Sequence, residues 1–185
     1  MKKKYFLIQF ALMVLFGNNN LLAQNNLWTL VSPERIGSET AARKIIPKKY
    51  LTFSLEAKAM LELLDSAPLE FTEESKRNPV SLTIPMPDGS FSRFKIVKTS
   101  IMEKGLSEQF PYFRTLGGQG IDDPLATIKI DWTDFGFRAQ ILSPFYGAVY
   151  IEPYSFESKD NYTCFFKKDL TPKTPPIEEI GRAHV

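Results

Sequence analysis

Residues 110–142 read FPYFRTLGGQGIDDPLATIKIDWTDFGFRAQIL, and this stretch decides the fold class. Apolar and polar residues alternate over Ala126–Trp132 and again over Phe135–Leu142, which is the period of a half-buried strand. Thr133-Asp134 stands between them as a tight polar turn. Ile128, Ile130 and Trp132 fall on one side of the first strand, and Phe135, Phe137 and Ala139 on one side of the second. Ahead of this hairpin lie Gly117, Gly118 and Gly120. Such a cluster cradles phosphate when it follows a strand and opens a helix. Here Asp122, Asp123 and Pro124 occupy the place of the helix start, so a turn or strand bulge is expected instead.

Working outward, Val80, Leu82 and Ile84 alternate with polar residues, Pro85–Ser90 supplies turn chemistry, and Phe91–Thr99 resumes extended structure. Pro85 cannot donate to a ladder, which implies an edge or a strand end. Gly147–Tyr154 and Tyr162–Lys167 read as two more strands, and Tyr50–Phe53 as a short one. Leu55, Ala59, Met60, Leu63 and Leu64 recur at helical spacing, with Ser54 as a candidate cap, Glu56 in the first turn and Pro68 as the stop. Met102–Phe110 reads as a helical turn, and 24–49 as an irregular lead-in anchored by Trp28. Strands that follow one another through short turns pair antiparallel. The expected fold is α+β: an antiparallel, twisted sheet packed against one main helix at about residues 54–66, all within 50–170.

The amino terminus is built for export. Lys2, Lys3 and Lys4 precede an apolar run, Tyr5–Phe16, and Leu21-Leu22-Ala23 offers a cleavage site before Gln24. The run is short for a bilayer core and Asn18-Asn19-Asn20 follows it, so 1–23 reads as a cleaved signal peptide rather than a membrane anchor. Export machinery is the partner this implies, and a secreted protein the outcome. Removal takes three lysines and no acid, leaving 20 basic residues of 23 against 21 acidic ones. A near-neutral chain with interspersed charge has no footprint for nucleic acid, and Lys48-Lys49 and Lys167-Lys168 read as solvated pairs. The one cysteine, Cys164, excludes an internal disulfide.

No catalytic set emerges from composition and spacing. Asp131 and Asp134 could act as an acid and base, but they flank a hairpin turn where Asp serves conformation. Asn161-Tyr162-Thr163 matches a glycosylation acceptor, which matters only in a eukaryotic secretory pathway. Trp132, Tyr146 and Tyr150 could serve a secreted binding module for a glycan or cell-surface protein, though they read more simply as sheet and core residues. Cys164 reads first as a small buried side chain in a strand, and second as a thiolate able to block a catalytic zinc. The tail Glu179–Val185 back-translates to GAG ATC GGA AGA GCA CAC GTC, resembling a common sequencing-library adapter read in frame. It is expected to be foreign, with 171–178 a polar linker, and His184, the one histidine, carries no functional argument.

Several segments in order resemble the pro-region of secreted bacterial zinc metallopeptidases of the reprolysin-like, metzincin type. They are Tyr50-Leu51-Thr52-Phe53, Leu63-Leu64 with Ala67-Pro68, Ile84–Gly89 with Phe94, Met102 with Leu106, Phe110-Pro111, Gly117–Asp123, and Gly136-Phe137 with Ala139. The resemblance spans Leu27 to Leu170. It implies a domain that assists folding of its own catalytic domain and keeps it latent until cleaved away. It also implies that zinc and the motif H-E-x-x-H-x-x-G-x-x-H belong to a following part absent from this chain, so no catalytic residue is carried over.

Overall fold

A computed structural model describes residues 27–36, 45–99, 110, 112–156 and 158–170. The described residues form nine strands: β1 Trp28–Val31, β2 Leu51–Leu55, β3 Val80–Pro85, β4 Phe91–Lys98, β5 Arg114–Gly120, β6 Thr127–Thr133, β7 Gly136–Ser143, β8 Gly147–Pro153 and β9 Asn161–Phe166. Between β2 and β3 come helix α1, Ala57–Ser66, and the short helix α2, Glu73–Arg77. All neighbours pair antiparallel in the order β1-β2-β9-β8-β7-β6-β5-β4-β3. Strands β3 to β9 are thus a meander, and β2, carrying β1 outside it, adds to the far side of β9. The expected α+β class with an antiparallel sheet and one main helix is what the chain adopts, weighted toward β. No helix among the described residues is long and apolar enough to cross a membrane.

The sheet curls into a half-barrel. The Cys164 thiol of β9 donates to the Pro85 carbonyl of β3 at 3.3 Å, although five strands lie between them in the sheet. Alternation delivers one side chain in two to the concave side, and register sets these in rows: Leu116, Ile130, Ala139, Ile151 and Cys164 form one, and Ile96, Gly118, Ile128, Ile141 and Val149 another. Curling crowds the inner face. Gly118 relieves it, because a Cβ there would lie 2.9 Å from Ile128 Cγ2 and 3.0 Å from Ile96 Cγ2.

Helix α1 packs Met60 and Leu64 into the core. It leaves β2 at the rim where β4 ends and β5 begins, and its last turn is fixed at that rim. Arg114 Nε and Nη2 donate to the two carboxylate oxygens of Asp65 at 2.9 and 3.1 Å, while Lys98 Nζ donates to the Asp65 carbonyl at 2.6 Å. Met60 and Leu64, four residues apart and so on one face, are fully buried. The opposite rim carries the loop Met86–Ser90, whose Met86 is buried and whose Gly89 takes a φ of +88° that favours glycine. Beside it Arg93 holds Asp122 through Nη2 at 2.6 Å and its backbone N–H at 2.8 Å.

Acid should loosen both clamps. Hydrogen bonds from Arg114 and Arg93 hold Asp65 and Asp122 below the ordinary aspartate value of 3.8. A depressed carboxyl stabilises the fold fully above 3.8 and loses that contribution as pH falls through its lowered value. Both side chains are more than a third exposed, so each contribution is small. The denaturant midpoint is expected to drop as pH falls below the ordinary aspartate value of 3.8, and less steeply when Asp65→Asn and Asp122→Asn are combined. Equal slopes in the two proteins would contradict this.

Several local expectations need correction. The helix begins at Ala57, not near 54: Ser54 lies inside β2, paired with Thr29 and Asn161, and Glu56 takes the cap position without a side-chain bond. Leu55 accordingly belongs to the strand, and Ala59 is exposed. The glycine cluster is neither turn nor bulge but most of β5. The lead-in holds a strand, β1, although Trp28 is the buried anchor it was expected to be. Strands β6 and β7 start one residue later than the alternation suggests, because Phe135 joins the turn and Gly136, at φ +92°, begins the return. Pro85 ends an edge strand, as its missing donor requires. The signal segment 1–23 with its Ala23/Gln24 cleavage site, most of the expected turn Met102–Phe110, and the tail beyond Leu170 lie outside the described residues.

Candidate functional site

Among the described residues the centre of the sheet is filled by side chains. Tyr162, Phe53, Phe94, Phe137, Met60 and Leu64 are each less than 2 % exposed, and Trp28 sits edge-on to Phe53, Phe137 and Tyr162 with centroids 6.5, 5.5 and 5.6 Å away. The Tyr162 hydroxyl is satisfied inside this cluster, accepting from the Phe137 N–H at 3.2 Å and donating to the Lys159 carbonyl at 2.8 Å. Burial pushes its pKa up to about 12.

Cys164 lies in the middle of β9, fully buried, with Leu51 of β2 beside it on one ladder and Ile151 of β8 on the other. Burial first, and the Asp88 carboxylate second, push its thiol well above the ordinary value. Asp131 and Asp134 are not brought together as an acid and base. Asp131 stands opposite Arg138 across the β6–β7 ladder, and Asp134 bonds the Tyr112 hydroxyl. Trp132 and Tyr146 are partly buried against the core, while Tyr150 stacks on Phe165 at 5.8 Å and bonds Gln140. The three therefore do not form an exposed row on one sheet face. Among the described residues no group of three or more His, Cys, Asp or Glu is placed to hold a metal ion.

Exposed aromatic residues stand at both rims, Phe91 and Phe145 at the one that carries the Met86–Ser90 loop and a larger group at the one where α1 leaves β2. Phe135, in the β6–β7 turn, and Phe156, in the β8–β9 loop, lie 5.2 Å apart and are 48 % and 61 % exposed. Phe110 stacks on Phe113 at 5.1 Å, Tyr112 meets Phe113 edge-on at 5.0 Å, and the Tyr112–Asp134 bond joins this trio to the β6–β7 turn. Partial desolvation, then the Asp134 charge, raise the Tyr112 pKa. A hollow beside Phe135 and Phe156, floored by the Arg138–Glu152 ion pair at 3.0 Å, admits about 30 Å³, enough for a water molecule and no larger ligand. Sequence reading missed this rim. Its signal was aromatic residues standing in turn positions, as in Thr133-Asp134-Phe135-Gly136 and Tyr154-Ser155-Phe156, where polar residues are the norm.

Comparison with family models, with curated proteins and with solved structures gave no match.

Proposed function

We propose that this chain is the pro-region of an exported zinc metallopeptidase of the reprolysin-like, metzincin type, acting on its own catalytic domain as a folding aid and as a cover. Zinc and the hydrolytic residues belong to that catalytic domain. Export runs through the signal peptide at 1–23, with cleavage between Ala23 and Gln24.

The observation that carries this reading is the aromatic rim on an otherwise filled fold. A domain whose interior is occupied by its own side chains acts through its surface. Half-exposed Phe135 and Phe156, beside the Phe110, Tyr112 and Phe113 stack, are the residue types that protein interfaces favour. The resemblance supplies the partner. Its segments fall on β2, the end of α1, the β3–β4 hairpin, β5 with its loop, and β7, so the likeness runs through one folded unit. A separate binding module would present Trp132, Tyr146 and Tyr150 together, and they are spent on packing.

The test is expression of the longer reading frame taken from source DNA, assayed on a peptide substrate before and after proteolytic removal of 24–176. The uncleaved precursor should be silent, and the cleaved one active and lost to a zinc chelator. Full activity of the uncleaved precursor would sink the covering role, and inactivity after cleavage would sink the peptidase assignment.

A further inference from the structure

A pro-region can silence a zinc peptidase in two ways. It can lay a thiolate on the metal, or lay a folded body over the cleft. Resting on the function proposed for this chain, we infer that its latency is independent of the thiol: Cys164 stays in the core, where it ties β9 to β3, and the folded domain silences its partner by coverage.

The geometry of Cys164 carries this. A zinc ligand must bring sulfur to about 2.3 Å from the ion. Cys164 Sγ has no exposed surface, and its S–H is engaged with the Pro85 carbonyl at 3.3 Å. The loop that follows Pro85 lies close by. Met86 is buried, Gly89 lies within 3.7 Å of Leu51 Cδ1 when given a Cβ, and Leu51 is the residue next to Cys164 across the ladder. Strand β9 is also not an edge, since β2 and β8 hold it on both sides. Bringing sulfur to a metal on another domain would break both ladders and empty the row that runs from Leu116 to Cys164. That is unfolding of the sheet centre, not a side-chain motion. The chemistry points the same way. Zinc takes a thiolate, and an apolar surround with the Asp88 carboxylate nearby disfavours negative charge on sulfur.

Two experiments test the inference. In the first, the native chain is exposed to N-ethylmaleimide and, separately, to Co²⁺ as a spectroscopic stand-in for zinc. Cys164 should be alkylated only at the rate of global unfolding, and no thiolate-to-cobalt absorption band should appear. Rapid alkylation of the folded chain, or such a band, overturns the inference whatever the parent proves to be. In the second, Cys164→Ala and Cys164→Ser are made in the longer precursor, two variants being used because a hydroxyl in this core can itself prevent folding. Peptide turnover before activation should change by less than about twofold. A folded Cys164→Ala precursor that is active without cleavage overturns thiol-independence while leaving the peptidase assignment intact. A precursor inactive even after cleavage refutes that assignment, and the alkylation result still judges the placement of Cys164.

Discussion

Replacing Phe137 by alanine is expected to cost the folded chain about 3–5 kcal/mol, the range for truncating a fully buried aromatic. Phe137 begins the inner row of β7 with no exposed surface, and three rings meet it: Trp28 at 5.5 Å, Tyr162 at 6.1 Å and Trp132 at 6.3 Å. Those rings come from β1, β9 and β6, so the vacated space is walled by separate strands fixed in their own ladders. Such a wall collapses poorly, which places the loss toward the upper end. The backbone N–H to Tyr162 survives the substitution, so the loss reports packing alone. Denaturant unfolding of Phe137→Ala against the parent measures it. A difference below about 1 kcal/mol would mean that this cluster is not the centre of the core.

Gly120→Ala should destabilise by about 3 kcal/mol or more, although it adds one methyl group. A Cβ at Gly120 would sit 2.0 Å from the Asp123 carbonyl oxygen and 3.3 Å from Ala126 Cβ. Those atoms cannot easily withdraw. The Asp123 carbonyl accepts from Ala126 N at 3.0 Å, the Ala126 carbonyl accepts from Gly120 N at 2.9 Å, and the Asp123 carboxylate is held by Leu125 N and the Ser143 hydroxyl. Relief requires opening the loop between β5 and β6 and its tie to β7. Gly147→Ala is the matched comparison for a tight contact, since nothing lies within 4 Å of a Cβ there and only its φ of +79° resists the change. Equal losses in the two variants would show that space at Gly120 is not what matters.

Much of the sheet was legible because its strands pair with sequence neighbours. Thr127–Thr133 and Gly136–Ser143 carry enough alternation to be read alone, and their partners are adjacent in the chain. Strand β1 was not legible, since four residues give little period and its partner β2 does not follow it directly in the chain. The helix start was misplaced because Ser54 suits a cap and a ladder equally, and pairing with Thr29 and Asn161 decided between them. Glycines 117, 118 and 120 look like breakers in sequence. In a sharply curled sheet Gly118 is instead what lets Ile96 and Ile128 close over β5, a requirement set by curvature that no local pattern records. Cys164 was legible as a buried strand residue from the apolar run around it. The rim of Phe110, Tyr112, Phe113, Phe135 and Phe156 was not, since its members are scattered over 47 positions and only the fold gathers them.

The most direct test of the pro-region assignment is to read the source DNA past the codon for Pro176 on a long clone. The expected result is an open frame that departs from Glu179–Val185 and runs on into H-E-x-x-H, placing this fold ahead of a zinc peptidase domain. A stop codon directly after Val185 in intact DNA would contradict it, and would leave the aromatic rim as the surface of a protein with a different partner.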